Sequence, residues 1–162
     1  MLPLLRRLRR VHPAAILVVL DTVGLVIASY LSSVELRNEL PVCGPLKGCE
    51  TVAQSEYSRV AGIPVAVFGV FLSITLLGLA IWWWRTNDVR LLASHYVLSL
   101  FGVMFEGYFT YLELFVIKAV CVWCAAYGIS LVLRFLVALV IWVRRDGGLK
   151  RPDVYETERV RP

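Results

Sequence analysis

Four stretches of about 20 residues run almost free of charge through this chain, from Ala14 to Ser33, Ile63 to Trp84, Leu91 to Leu112 and Ala119 to Val143. At 1.5 Å per helical residue each can cross the hydrocarbon core of a bilayer, where every backbone N–H and C=O must be bonded within its own segment. The expected fold is therefore all-α, a membrane four-helix bundle. A chain that is 59% hydrophobic is too apolar for a soluble domain of 162 residues, so its surroundings are lipid and no nucleic acid is expected as a partner. The first run follows Arg6, Arg7, Arg9 and Arg10 as a signal peptide would. It is too long for a signal core, however, and carries Asp21. Ala28-Ser29-Tyr30 is also a poor cleavage site, so the run is expected to stay attached as a span.

Basic residues between the spans set the orientation. Twelve Lys and Arg fall on one side against four on the other, with Arg134 inside the fourth span. Basic residues are retained in the cytoplasm, so both termini are predicted there. The expected layout is a basic N-terminus over 1–13, a four-span domain over 14–143 and a polar, disordered tail over 144–162. The loop 34–61 and the turn from Glu113 to Lys118 then face outward, in a bacterial plasma membrane or, as a weaker fit, the endoplasmic reticulum. Trp82, Trp83, Trp84 and Trp142 are expected at the inner interface and Trp123 near the outer one. Small residues share a face in each of the first two spans, Asp21, Gly24, Ala28 and Ser32 in one and Gly62, Ala66, Gly69 and Ser73 in the other, which predicts close helix packing. In the loop, Val52, Ala53, Tyr57 and Val60 recur at helical spacing, with Glu50, Gln54, Glu56 and Arg59 around the other side. That pattern predicts a short amphipathic helix lying on the bundle mouth as a lid, or else an outward extension of the second span.

Four cysteines carry the chemistry. Cys43 and Cys49 lie in the polar loop, while Cys121 and Cys124 open the fourth apolar run. Residues three apart on a helix share a face, so the second pair can close as a disulfide or open as a dithiol, and the positive end of the helix favours its thiolates. A zinc site of all four sulfurs is one reading, but structural zinc ordinarily staples core-poor domains and this bundle has its own core, so no metal is expected. Static disulfides closing the loop are a second. The third fits the chemistry best: thiolates hand electrons on through mixed disulfides, and a wet pair beside a membrane pair links a soluble thiol to a lipid-soluble oxidant.

The run Cys43-Gly44-Pro45-Leu46-Lys47-Gly48-Cys49, then Ser55, then Gly62-Ile63-Pro64-Val65-Ala66-Val67-Phe68-Gly69, then Tyr111-Leu112-Glu113-Leu114-Phe115-Val116-Ile117 ahead of Cys121-Val122-Trp123-Cys124, resembles the bacterial branch of the vitamin K epoxide reductase family in order and spacing. The similarity covers about Asp21 to Val143. It implies a quinone-reducing thiol oxidoreductase whose acceptor is ubiquinone, menaquinone or a vitamin K-type quinone. By position, Cys124 would engage the quinone, Cys121 would exchange with Cys49, Cys43 would meet a thioredoxin-like partner, and Ser55 would order the lid. Many bacterial relatives carry a fused thioredoxin-like domain; this chain ends after a short tail, so the expected donor is a separate periplasmic DsbA-like protein. The alternatives are an epoxide-reducing vitamin K enzyme and a non-catalytic four-span protein with structural disulfides.

The resemblance also departs from the animal members, in which a tyrosine four residues beyond the second membrane cysteine and an asparagine in the second span bond the vitamin. Here Tyr127 lies three beyond Cys124 and Val65 takes the asparagine position. With Phe68 and Gly128, which would leave room for a flat ring, they complete the expected quinone surroundings. Glu106 is a further candidate for contacting quinone oxygens or carrying protons, since an ionisable group inside a span is a functional suspect. Its plain alternative is a carboxyl satisfied within the bundle. Asp21 and Arg134 lie at similar depth with opposite sign and are expected to form a structural ion pair. His12 and His95 are expected to be solvated or packed, without metal.

Overall fold

A computed structural model describes residues 13–43 and 48–149, with side chains to Arg144. The basic N-terminal segment with His12, residues 44–47 between the loop cysteines, and the tail beyond Leu149 lie outside the described residues. Four long helices form an up-and-down bundle: α1 (Pro13–Leu36), α3 (Val65–Thr86), α4 (Val89–Tyr111) and α5 (Val122–Leu149). All four are long and apolar enough to span a membrane. α1 packs on α3 and α5, and α4 packs on the same two helices, which closes the ring. Side chains such as Val26, Phe71, Val97 and Ile129 point outward and exposed, as lipid-facing residues do.

Local chemistry explains the helix ends. α1 stops where Asn38 turns left-handed (φ 54°) and the N–H groups of Asn38 and Glu39 bond the carbonyls of Glu35 and Val34. α3 stops the same way at Asn87, and Asp88 then caps α4 by accepting the Arg90 N–H at 2.9 Å. α4 does not end cleanly. It widens into a π-helical turn, Leu112–Ile117, closed by Lys118 in the left-handed region. α5 runs on through Leu149, so the first residues of the expected tail are helical.

The loop between α1 and α3 corrects the predicted lid helix. A six-residue helix, α2 (Gly48–Ala53), gives way to a 3₁₀ turn (Glu56–Ser58) and a two-stranded hairpin, β1 (Arg59–Val60) with β2 (Ile63–Pro64). The Ser55 hydroxyl donates to the Val52 carbonyl at 2.7 Å and the Ser58 hydroxyl donates to Ala53 and Ser55 at 2.9 Å. Those carbonyls are thereby bonded to hydroxyls in place of a continuing helix. Ala61 and Gly62, both at positive φ, make the hairpin turn, so Gly62 belongs to a turn and not to the packing face of α3. Arg59 ties the hairpin to the end of α1 through Asn38 Oδ1 at 2.8 Å and the Glu35 carbonyl at 3.3 Å.

Inside the bundle two apolar clusters are separated along α1 and α5 by a polar layer. Leu17, Ala80, Leu92 and Ala138 pack at the end remote from the cysteines together with Trp83, which is core and not interface. Ala28, Leu76, Tyr127 and Leu131 form the second cluster. Between them Arg134 reaches Asp21 (3.6 Å), Ser73 (3.5 Å) and the Ser130 hydroxyl (2.8 Å), while His95 Nε2 sits 3.1 Å from the other Asp21 oxygen. His95 is thus a partner of Asp21 as well as a packed side chain. Gly24 makes room: a Cβ there would run into the Arg134 guanidinium. The layer joins all four spans.

Replacing Asp21 by Asn leaves the Arg134 cation buried without its counter-ion. Unfolding in detergent should show a loss of about 3–5 kcal/mol. Adding Arg134→Met should recover part of it, and a double variant as unstable as the worse single one would refute the pairing.

Candidate functional site

Both cysteine pairs lie at the same end of the bundle. Cys43 and Cys49 form a disulfide with Cα atoms 6.0 Å apart, whereas Cys121 and Cys124 are free thiols. With the loop pair bonded to itself, no four-thiolate metal site exists in this state. Two contacts seat the loop on the membrane pair. Gly48 lies so close to the Val120 backbone that a Cβ would collide with the Val120 carbonyl oxygen, which brings the first turn of α2 onto the residue before Cys121. Trp123, between the two membrane cysteines, donates its indole N–H to the Val42 carbonyl at 2.9 Å and packs on Tyr30 with ring centroids 4.7 Å apart. Tyr30 in turn accepts the Val42 N–H at 3.3 Å. Trp123 therefore pins the segment leading into Cys43, a role beyond the interfacial one expected of it.

The helix start shapes the thiols. Cys121 precedes α5, and its sulfur accepts the Cys124 backbone N–H at 3.4 Å, as a capping side chain would. A hydrogen bond from the Cys124 thiol holds Cys121 below the usual thiol range. Burial opposes that shift, and the Cys124 and Trp123 backbone N–H groups reinforce it. On the other side of Cys121 is Glu113, whose Oε2 accepts the Cys121 N–H at 3.2 Å. A carboxylate oxygen of Glu113 and the two sulfurs all lie within 4.8 Å of one another.

Cys124 opens onto a cavity of about 470 Å³. Phe68, Phe101, Phe105 and Phe109 supply aromatic walls, and Val52, Ser55, Tyr57 and Val60 of the loop close its end. Few polar groups face it, namely Glu35, Glu106, Glu113, Tyr127 and the loop hydroxyls. This is the composition of a site for an apolar ring with a small number of polar atoms.

Of the residues singled out in the sequence, Val65, Phe68, Glu106 and Tyr127 line this cavity with Cys124. Gly128 does not. It faces the Glu106 side chain, 2.9 Å from where a Cβ would stand, so the space it leaves holds a carboxyl rather than a flat ring. The Tyr127 hydroxyl donates to the Gly69 carbonyl at 3.0 Å and meets the Ser73 hydroxyl at 3.2 Å, so it is tied to α3. Ser55 bonds within its own turn. Asp21 and Arg134 sit deeper, beyond Tyr127, over whose ring the guanidinium lies at 5.5 Å. Sequence reasoning missed Glu35, the phenylalanines of α4, and the placement of Glu113, which stands just past the apolar run ending at Leu112. An acid in the turn before Cys121 was the available signal.

The model of the vitamin K epoxide reductase family matches residues 15–139, which takes in most of the first and fourth spans, the second and third, the loop and both cysteine pairs.

Changing Cys124 to Ala removes the hydrogen bond that favours the Cys121 thiolate, so Cys121 should titrate at higher pH. Ultraviolet thiolate absorbance against pH, with Cys43 and Cys49 replaced by Ser, reads this. An unmoved titration would mean that the neighbouring thiol does not set the reactivity of Cys121.

Proposed function

The chain belongs to the vitamin K epoxide reductase family and is a membrane oxidoreductase acting on disulfides and quinones; on that premise we propose that it makes protein disulfides, passing electrons from a thioredoxin-fold protein to a quinone. The observation that carries this reading is the free thiol of Cys124 on the wall of an aromatic cavity, beside a loop that holds a disulfide. A reduced DsbA-like partner attacks the Cys43–Cys49 disulfide through Cys43 and leaves as a disulfide. The Cys49 thiolate then attacks the Cys121–Cys124 disulfide at Cys121. Cys43 resolves the mixed disulfide, so the loop pair is oxidised again and the membrane pair becomes a dithiol.

That is the distribution of sulfurs seen here, and it is poised for the last step. Cys121 and Cys124 close to a disulfide while two electrons and two protons pass to the quinone. Phe68, Phe101 and Phe105 hold the ring, and Val65 and Tyr127 complete its surroundings. Tyr127 keeps its hydroxyl on α3, and the cavity carboxyls, Glu106 among them, are placed with the Tyr57 hydroxyl to bond a quinone oxygen. Ser55 orders the loop turn that closes the cavity. The basic-residue count supports both termini in the cytoplasm and the cysteines outside, where disulfides persist, and the resemblance to the bacterial branch supports a bacterial plasma membrane.

Purified full-length protein given a reduced DsbA-like protein and a quinone should bleach the quinone absorbance. Cys124→Ser and Cys121→Ser should bring the rate to the uncatalysed background, and Cys43→Ser and Cys49→Ser should stop turnover earlier, at the exchange with the partner. Reduction of a vitamin K epoxide with no reduction of the quinone would favour the epoxide reading. Unchanged rates in the Cys121 and Cys124 variants would rule out redox work by that pair.

A further inference from the structure

Glu113 is a buried carboxyl, 6% exposed, with no cation against it: among the described residues no Lys, Arg or His forms an ion pair with it. Its neighbours are instead the two thiols and the N–H that leads into the first of them. The π turn is what holds it there. Lys118 and Ala119 both donate to the Glu113 carbonyl, and the widened turn keeps its side chain within the bundle. Such turns gather at functional sites. Three acidic groups in contact, away from water, can hold about one negative charge between them. Moving the charge from carboxylate to sulfur therefore means moving a proton the other way, over a distance already spanned. Glu106, by contrast, rests on Gly128 and makes no hydrogen bond to either thiol.

We propose that Glu113 is a catalytic residue of the membrane pair, accepting the Cys124 thiol proton as that sulfur gives up electrons and delivering it to the reduced acceptor. This rests on the reading of Cys121 and Cys124 as the quinone-reducing couple. In the step, two S–H bonds break, one S–S bond forms between Cys121 and Cys124, and the electron pair passes to the quinone. The Cys124 proton goes to a Glu113 oxygen and then to one quinone oxygen. The Cys121 proton ends on the other oxygen, so the quinol gains two O–H bonds and Glu113 is a carboxylate again. The remaining titratable groups on this cavity are Glu35 from α1, Tyr57 from the loop, Glu106 from α4 and Tyr127 from α5, with none from α3 among the described residues.

The test is single-turnover reduction of a short-chain benzoquinone by the prereduced full-length protein across pH, with thermal unfolding measured alongside. Glu113→Gln should slow the step by about 10²-fold or more and flatten the limb of the pH profile that reports the base, with Glu113→Asp between it and the wild type. A wild-type rate and profile in Glu113→Gln, or slowing confined to Glu106→Gln, would overturn the proposal while leaving the quinone reaction standing. No quinone reduction by the wild type would instead remove the functional reading beneath it. If Glu113→Gln does not assemble, Glu113→Asp carries the test, because its carboxyl is one methylene short and an undiminished rate there is equally fatal.

Discussion

The close approach of the loop between α1 and α3 to the first turn of α5 governs the rest of the site. A disulfide in a polar loop and a dithiol at a spanning helix can exchange only if their backbones come together. The contacts that do this are small: Gly48 on the Val120 carbonyl, and the Trp123 indole N–H on the Val42 carbonyl. Neither is strong alone: the first is a van der Waals approach that only a glycine permits, and a single hydrogen bond such as the second contributes about 1 kcal/mol net. Together they bring the start of α2 onto the residue before Cys121, with Cys49 fully buried and Cys43 partly accessible.

The membrane explains why the bundle beneath can carry that junction. Apolar burial gives little preference between helix and lipid, so specificity rests on small residues and polar groups. Asp21, His95, Ser73 and Arg134 supply one such set, with one member from each span. Through Ser73 and the Tyr127 ring this layer also supports the floor of the cavity. Fold stability and the shape of the site are therefore linked through Tyr127, although the charged groups lie outside the cavity wall.

The spans were legible because lipid demands long apolar helices whatever packs beside them, and the Asp21–Arg134 contact because two opposite charges at equal depth have few alternatives. The grouping of Cys43 with Cys49 was legible from their shared setting in a polar loop, and the two are bonded. What escaped is set by local competition or by three-dimensional placement. Ser55 and Ser58 hydroxyls break the loop into short pieces that apolar spacing read as one helix. Gly62 fell in step with Ala66 and Gly69, but its positive φ serves a hairpin. Trp83 looked interfacial among three tryptophans, yet its face of α3 turns inward. Glu113 looked like part of an outer turn because a π turn, which side-chain periodicity does not announce, keeps it inside.

The central claim is that the wet sulfurs reach the membrane sulfurs, and a trapped intermediate tests it most directly. With Cys43→Ser and Cys124→Ser introduced together, neither resolving thiol remains. Oxidation should then leave Cys49 and Cys121 joined, to be found as one cross-linked peptide by mass spectrometry after digestion. If both cysteines are recovered as free thiols, or each is bonded only to small thiols from solution, the two pairs do not exchange and the electron path fails.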